Sequence, residues 1–192
     1  MLHSIATFGE YLFPPESEEA AATIDYLAKV FCTEYPVNQE LIAAGEPGVL
    51  IGRYPGDSYA GGNPWSLLTA VTGEVFYKAG EATLAKIKAA GGTAKALDAV
   101  ANKNWMKLLK LRQGADQLDL ARAQISAGDS ILSQLYSRVS PEAGRVDEQI
   151  DKFTGVQTAA ESLTWSYANV LHALWTRQNA EKLRAEVEKM MM

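Results

Sequence analysis

Apolar residues recur at helical spacing along most of this 192-residue chain. Ile24, Leu27, Ala28 and Phe31 fall at i, i+3, i+4 and i+7, the stripe of a helix that buries one face. That stripe predicts a helix over Glu16–Tyr35, with acidic residues in its first turn and Pro36 as its stop. Val37–Ala44 reads as a short helix ended by Gly45. Leu68, Val71, Val75 and Phe76 mark the next helix, with Asn63 as cap, Pro64 as first residue and Gly80 as end. Residues 81–96 are rich in Ala and Lys and read as an extension and a linker. Leu97, Val100, Ala101, Trp105, Leu108 and Leu109 predict a helix over Ala94–Gln113. Leu118, Ala121, Ile125, Leu132, Leu135, Tyr136 and Val139 predict a long one over Asp116–Val139, kinked at Gly128. Residues Ala159–Arg177 are apolar nearly all round, at Leu163, Trp165, Tyr167, Val170, Leu171, Leu174 and Trp175, so this helix should be buried on most sides. Asn179–Met192 is a charged amphipathic helix expected to fray. Residues 1–15 read as extended up to Pro14-Pro15, Ser140–Thr158 as loop, and only Gly48–Arg53 as a candidate strand. Five or six helices and so little strand make the class all-α.

Between two of these helices runs a long loop, Gly45–Trp65, with the sequence GEPGVLIGRYPGDSYAGGNPW. It holds six of the fifteen glycines and three of the seven prolines. A structureless loop of that length in a compact domain is usually functional or disordered. Disordered segments are poor in aromatics, whereas this one carries Tyr54, Tyr59 and Trp65 beside Arg53 and Asp57. It therefore reads as an ordered, working loop.

Length suits one domain with a sizeable core. A net charge of -5 argues against nucleic acid, which calls for clustered Lys and Arg. A single cysteine, Cys32, leaves no intrachain disulfide. His3 and His172 are too few and too far apart for a metal site. No apolar run approaches the ~20 residues of a membrane span. The first residues lack the basic start and clean apolar core of a signal peptide.

The segment GRYPGDSYAGGNPW resembles the arginine-tyrosine-proline loop of glucoamylases, glycoside hydrolase family 15. A second block, DEQIDKFTGVQTAAESLTWSYA over Asp147–Ala168, is similar to the same family in the expected order. Ser4-Ile5-Ala6-Thr7-Phe8 matches a further family segment. The resemblance implies an (α/α)6 toroid of alternating outer and inner helices, of which about half is present. It divides the chain into residues 1–178, the C-terminal part of the catalytic domain, and 179–192, a charged helical tail. It implies a glucan 1,4-α-glucosidase that releases glucose from non-reducing ends with inversion. The partner is an α-glucan or malto-oligosaccharide, with no cofactor, no metal, no nucleic acid and no membrane. Relatives are usually secreted or vacuolar, so the absence of a signal peptide suggests that the beginning is missing.

Inversion needs two carboxyl groups, a general acid and a general base, roughly 6.5–9.5 Å apart. The resemblance places the base at Glu148, fifteen residues before the Leu163-Thr164-Trp165-Ser166-Tyr167 helix start. It places Arg53, Tyr54, Asp57, Tyr59, Trp65 and Trp165 among the sugar-binding residues. Arg53 offers a planar fork of donors for hydroxyls, and the aromatic rings offer faces for sugar C–H bonds. From the residues alone, Glu148 is a solvated loop carboxylate, Arg53–Asp57 a local salt bridge and Trp65 a core residue. The general acid of the family lies in a Trp-Glu-Glu motif, and none of the four tryptophans here precedes a carboxylate. The chain is thus expected either to meet a missing N-terminal half or to self-associate through exposed helices. The alternative is a catalytically incomplete fragment or a non-catalytic glucan-binding helical protein.

Overall fold

The computed structural model describes residues 2–8, 13–45, 48–139 and 144–192. Four long helices dominate: α2 (Glu18–Glu34), α4 (Ser66–Ala89), α6 (Gln117–Tyr136) and α7 (Thr164–Met190). Three short ones, α1 (Leu2–Phe8), α3 (Pro36–Ala43) and α5 (Lys103–Leu108), sit between or before them. A two-residue antiparallel hairpin, β1 (Gln149–Ile150) with β2 (Gln157–Thr158), is the one sheet among the described residues.

Helix α4 is the axis of the packing. It is buried on nearly every side and lies against α1, α6 and α7. Its apolar content explains this: Val71, Val75, Phe76, Leu84 and Ile87 are at most 4% exposed. Gly80 does not end the helix, which runs on to Ala89. A Cβ at Gly80 would stand 3.0 Å from Cγ1 of Ile125 on α6, so this glycine serves close helix approach rather than termination. Gly128 answers it from α6, beneath the ring of Tyr77, and α6 is one continuous helix through that position. Asp116 and Asp119 form a capping box at the start of α6.

Several other expectations change. Residues 2–8 are helical rather than extended, because Leu2, Ile5 and Ala6 form a buried i, i+3, i+4 stripe against α4. The helix expected over Ala94–Gln113 shrinks to α5. The amides of Leu97 and Gln117 donate to Ala115 and Lys95, and Asp98 accepts from the amides of Val100 and Ala101, so backbone groups bond across the chain instead of along it. Helix α4 starts at Ser66, not at Pro64, and Asn63 does not cap it. Gly48–Arg53 has no ladder partner. The hairpin lies inside the stretch read as loop, of which residues 140–143 fall outside the described residues.

Helix α7 differs most. It runs without a break through Arg177 and Asn179 to Met190. Its buried face is Ser166, Asn169, Val170, Ala173, Thr176, Ala180 and Val187, mostly small residues that let α4 approach. The large apolar residues point out: Trp165, Leu171 and Trp175 are 50%, 65% and 59% exposed. The helix is not buried on most sides. Arg177 reaches α6 through a two-bond pair with Asp129, which also accepts from the Tyr77 hydroxyl. The buried Glu74 of α4 lies 2.9 Å from both Lys78 Nζ and His172 Nδ1. Among the described residues no helix is long and apolar enough to cross a membrane.

Candidate active site

The long loop returns to the body of the protein in two anchored segments. Leu50 and Ile51 are buried, and the amide of Leu50 donates to the side chain of Asn38 on α3. Gly52 follows because nothing larger fits: a Cβ there would stand 1.9 Å from the Tyr35 hydroxyl. That hydroxyl is buried without a hydrogen-bond partner among the described protein atoms. Burial first, then the neighbouring Glu34 and Asp57 charges, push its pKa far up.

Arg53 then turns into an aromatic box. Its guanidinium carbon lies 5.4, 4.9 and 5.2 Å from the ring centroids of Tyr54, Tyr59 and Trp65, within the range of cation–π attraction. Its Nε and Nη2 donate to the two carboxylate oxygens of Asp57, each at 2.7 Å. Asp57 also accepts from the Tyr59 amide at 3.0 Å. The Arg53 hydrogen bonds hold the Asp57 carboxyl below its ordinary pKa; burial opposes this, and the Tyr59 amide adds to it. The same hydrogen bonds raise the Arg53 pKa. Asp57 is nearly sealed, while Tyr54 and Tyr59 are 52% and 67% exposed. Gly62 closes the turn at φ +61, where an added Cβ would meet the Asp57 carbonyl at 1.9 Å.

Glu148 reaches this group through its backbone. Its carbonyl accepts from the amide of Ser66 at 3.0 Å, beside Trp65, and its amide donates to Ala160 at 2.9 Å. The neighbouring Gln149 forms an antiparallel bridge with Trp65, and Ile150 donates to Pro64 at 2.9 Å. The Glu148 side chain is half-buried. Asp147, which the sequence sets beside it as a second carboxylate, is buried and committed elsewhere: it accepts from the Ser162 amide and pairs with Arg145 at 3.0 Å. Trp165 stands at the start of α7, two residues beyond Leu163, whose amide donates to Val146.

Arg53, Tyr54, Asp57, Tyr59 and Trp65 thus meet in one group, and the Glu148 backbone joins its rim. The sequence marks Asn63 only as a helix cap, and its spacing gives Gln149 and Lys152 no site role. Asn63 donates to Ala60 and to Gln149 Oε1, and accepts from the Lys152 amide. Trp65 Nε1, Ser66 Oγ and Gln149 Nε2 are buried with no hydrogen-bond partner among the described protein atoms. Unmet buried polar groups are costly, and here three cluster at the seam between loop and hairpin. Two clefts of about 690 and 710 Å³ lie elsewhere and include neither Arg53 nor Glu148. The Arg53 group is an open surface rather than an enclosed cavity. Among the described residues no group of three or more His, Cys, Asp or Glu side chains could hold a metal ion.

The family model of glycosyl hydrolases family 15 matches residues 3–175. A glucoamylase of Saccharomycopsis fibuligera is 28% identical over 200 residues, covering 95% of this chain and 38% of that protein. Glucoamylase 1 of Rhizopus oryzae is 30% identical over 191 residues, covering 92% of this chain and 30% of that protein. Among solved structures, the family 15 glucoamylase of Hypocrea jecorina superposes with a TM-score of 0.70 at 28% identity, over 86% of this chain and 27% of the other. The Saccharomycopsis fibuligera glucoamylase structure gives 0.69 at 26%, over 89% and 37%. The chain spans less than two-fifths of the length of these relatives.

Proposed function

Because the chain belongs to family 15 of the glycosyl hydrolases and has the helical architecture of its glucoamylases, we propose that it supplies the general base and a sugar-binding loop of a glucan 1,4-α-glucosidase. Residues 1–178 are then the C-terminal part of the catalytic domain, and 179–192 a charged helical extension of it. Glu148 removes a proton from the water that attacks the anomeric carbon, on the face opposite the leaving glycosyl oxygen, and the configuration inverts. Arg53 donates to hydroxyls of the terminal glucose from a guanidinium oriented by Asp57. Tyr54, Tyr59, Trp65 and Trp165 offer ring faces to its C–H bonds.

The observation that carries this reading is the Arg53–Asp57 pair inside three aromatic rings, joined through Ser66 and Trp65 to the backbone of Glu148 and Gln149. The general acid comes from a segment that packs on α7, where Trp165, Leu171 and Trp175 stand out. That segment is the remainder of the barrel.

The second reading, a glucan-binding chain without catalysis, draws on the missing Trp-Glu-Glu motif. Glucose release from maltose and maltopentaose separates the two. The chain is assayed alone and joined to the preceding part of a family 15 catalytic domain, each beside Glu148→Gln. Release by the joined protein that vanishes with Glu148→Gln is expected. Turnover that survives Glu148→Gln overturns the assignment of the base.

A further inference from the structure

The turn Tyr59–Gly61 at the tip of the Arg53 loop is conformationally expensive. Ala60 lies in the left-handed region at φ 49, ψ 39, where a residue with a Cβ is disfavoured. One hydrogen bond inside the turn, from the Gly62 amide to the Tyr59 carbonyl at 2.9 Å, is a weak reason for it to persist. Two bonds from outside complete the hold. Asn63 Nδ2 donates to the Ala60 carbonyl at 3.2 Å, and Lys152 Nζ donates to the Gly61 carbonyl at 2.7 Å.

Lys152 is unlike an ordinary surface lysine because its backbone is spoken for on both sides. Its amide donates to Asn63 Oδ1 at 3.2 Å, and its carbonyl accepts from Val37 at the start of α3 at 2.9 Å. The residue before it, Asp151, pins the hairpin turn by accepting from the amides of Phe153 and Thr154. The stem of Lys152 therefore leaves a fixed point, and only its side-chain rotamers remain to be ordered in holding the ammonium in place.

We propose that Lys152 is a positioning residue, whose ammonium locks the left-handed Tyr59–Gly61 turn against the hairpin whose first strand directly follows Glu148. The Tyr59 amide bonds Asp57, and Asp57 orients Arg53, so this cation ties the tip of the loop to a hairpin whose register backbone bonds already set. The inference rests on the loop being the sugar site for its consequence, not for the clamp itself.

Two measurements on the full 192-residue chain test it, with Lys152→Met, Lys152→Gln and Lys152→Arg. In the Met and Gln variants the Tyr59 and Gly62 amides exchange hydrogen about tenfold faster, while the amides of α4 keep their rates and the thermal midpoint stays close to that of the parent. Lys152→Arg restores most of the protection. Maltotriose, titrated against tryptophan fluorescence, binds about five- to tenfold more weakly to the Met and Gln variants and nearly normally to the Arg variant. Unchanged exchange in both neutral variants overturns the clamp. Faster exchange with unchanged maltotriose affinity overturns its positioning role. A parent chain that binds no maltotriose sinks the sugar-site reading instead, and the exchange comparison alone then decides the clamp.

Discussion

Arg53 and Asp57 meet through two hydrogen bonds of 2.7 Å, with the carboxylate side chain 2% exposed and the guanidinium side chain 28% exposed. The pair therefore presents its cationic end to solvent and keeps its anionic end behind. Fork-to-fork geometry of this kind orients a guanidinium far better than a monodentate contact does. The three rings around it restrict the remaining freedom.

Its pH dependence has a definite sign. The folded-state pKa of Asp57 lies below its unfolded value, chiefly because of Arg53. The contribution of the pair to the loop is present above the unfolded value, about 3.9, and is lost as pH falls through the folded one. Maltotriose affinity should hold from about pH 8 down through the ordinary carboxylate range and fall only below it, as folded Asp57 takes up its proton. Asp57→Asn should bind weakly throughout, without that acid limb. Fluorescence titrations at fixed pH values check this, and an affinity already lost between about pH 6 and about pH 5, above the unfolded carboxylate value, would count against it.

Glu148→Gln in the joined protein should lower turnover by about 10²- to 10⁴-fold, the usual reach of one general base. Substrate affinity and the thermal midpoint should barely move, because the groups of Glu148 that hold the fold are its amide and carbonyl. Steady-state kinetics beside calorimetry provide the comparison. A large loss of stability would show that the side chain, too, is structural.

Gly52→Ala should destabilise the chain by about 1–3 kcal/mol, the range for overpacked interiors, because the new methyl meets the Tyr35 hydroxyl. Tyr35→Phe should be close to neutral or slightly stabilising, since the hydroxyl it removes is buried and unpaired. The double variant should recover part of the loss. Chemical denaturation of all four proteins gives the coupling, and strict additivity would show that the clash is relieved elsewhere.

Leu171→Ser and Trp175→Ser should each change the stability of the isolated chain by less than about 0.5 kcal/mol, as at other exposed positions. In the joined protein the same changes should cost about 2 kcal/mol or more, because both side chains become buried. Equal effects in the two contexts would mean that the rest of the barrel does not pack on this face of α7.

Much of the fold is legible in the residue pattern. The stripe of α2 and the capped α6 stand close to their expected bounds. The pattern misleads where a residue has two uses. Gly80 reads as a stop, yet it lies within α4 at a close approach to α6. The large residues of α7 read as a helix buried on most sides, but the inner face is built largely of small residues such as Ser166, Ala173 and Ala180. Periodicity cannot tell a face that meets this chain from one that meets something else. The loop residues Arg53, Asp57, Tyr59 and Trp65 are recognisable because their spacing is short. The roles of Asn63, Gln149 and Lys152 are not, since the bonds that define them join positions 86 to 91 residues apart, and Asn63 reads locally as a helix cap instead.

The anchoring of Glu148 by main-chain bonds alone has a consequence for descent. Any L-residue but proline can offer the same amide to Ala160, and any can offer the same carbonyl to Ser66. Selection for folding therefore does not discriminate among side chains at position 148. A lineage that loses the carboxylate keeps a well-formed protein, free to be recruited for holding sugars it no longer cleaves, and a single codon change can reverse the loss.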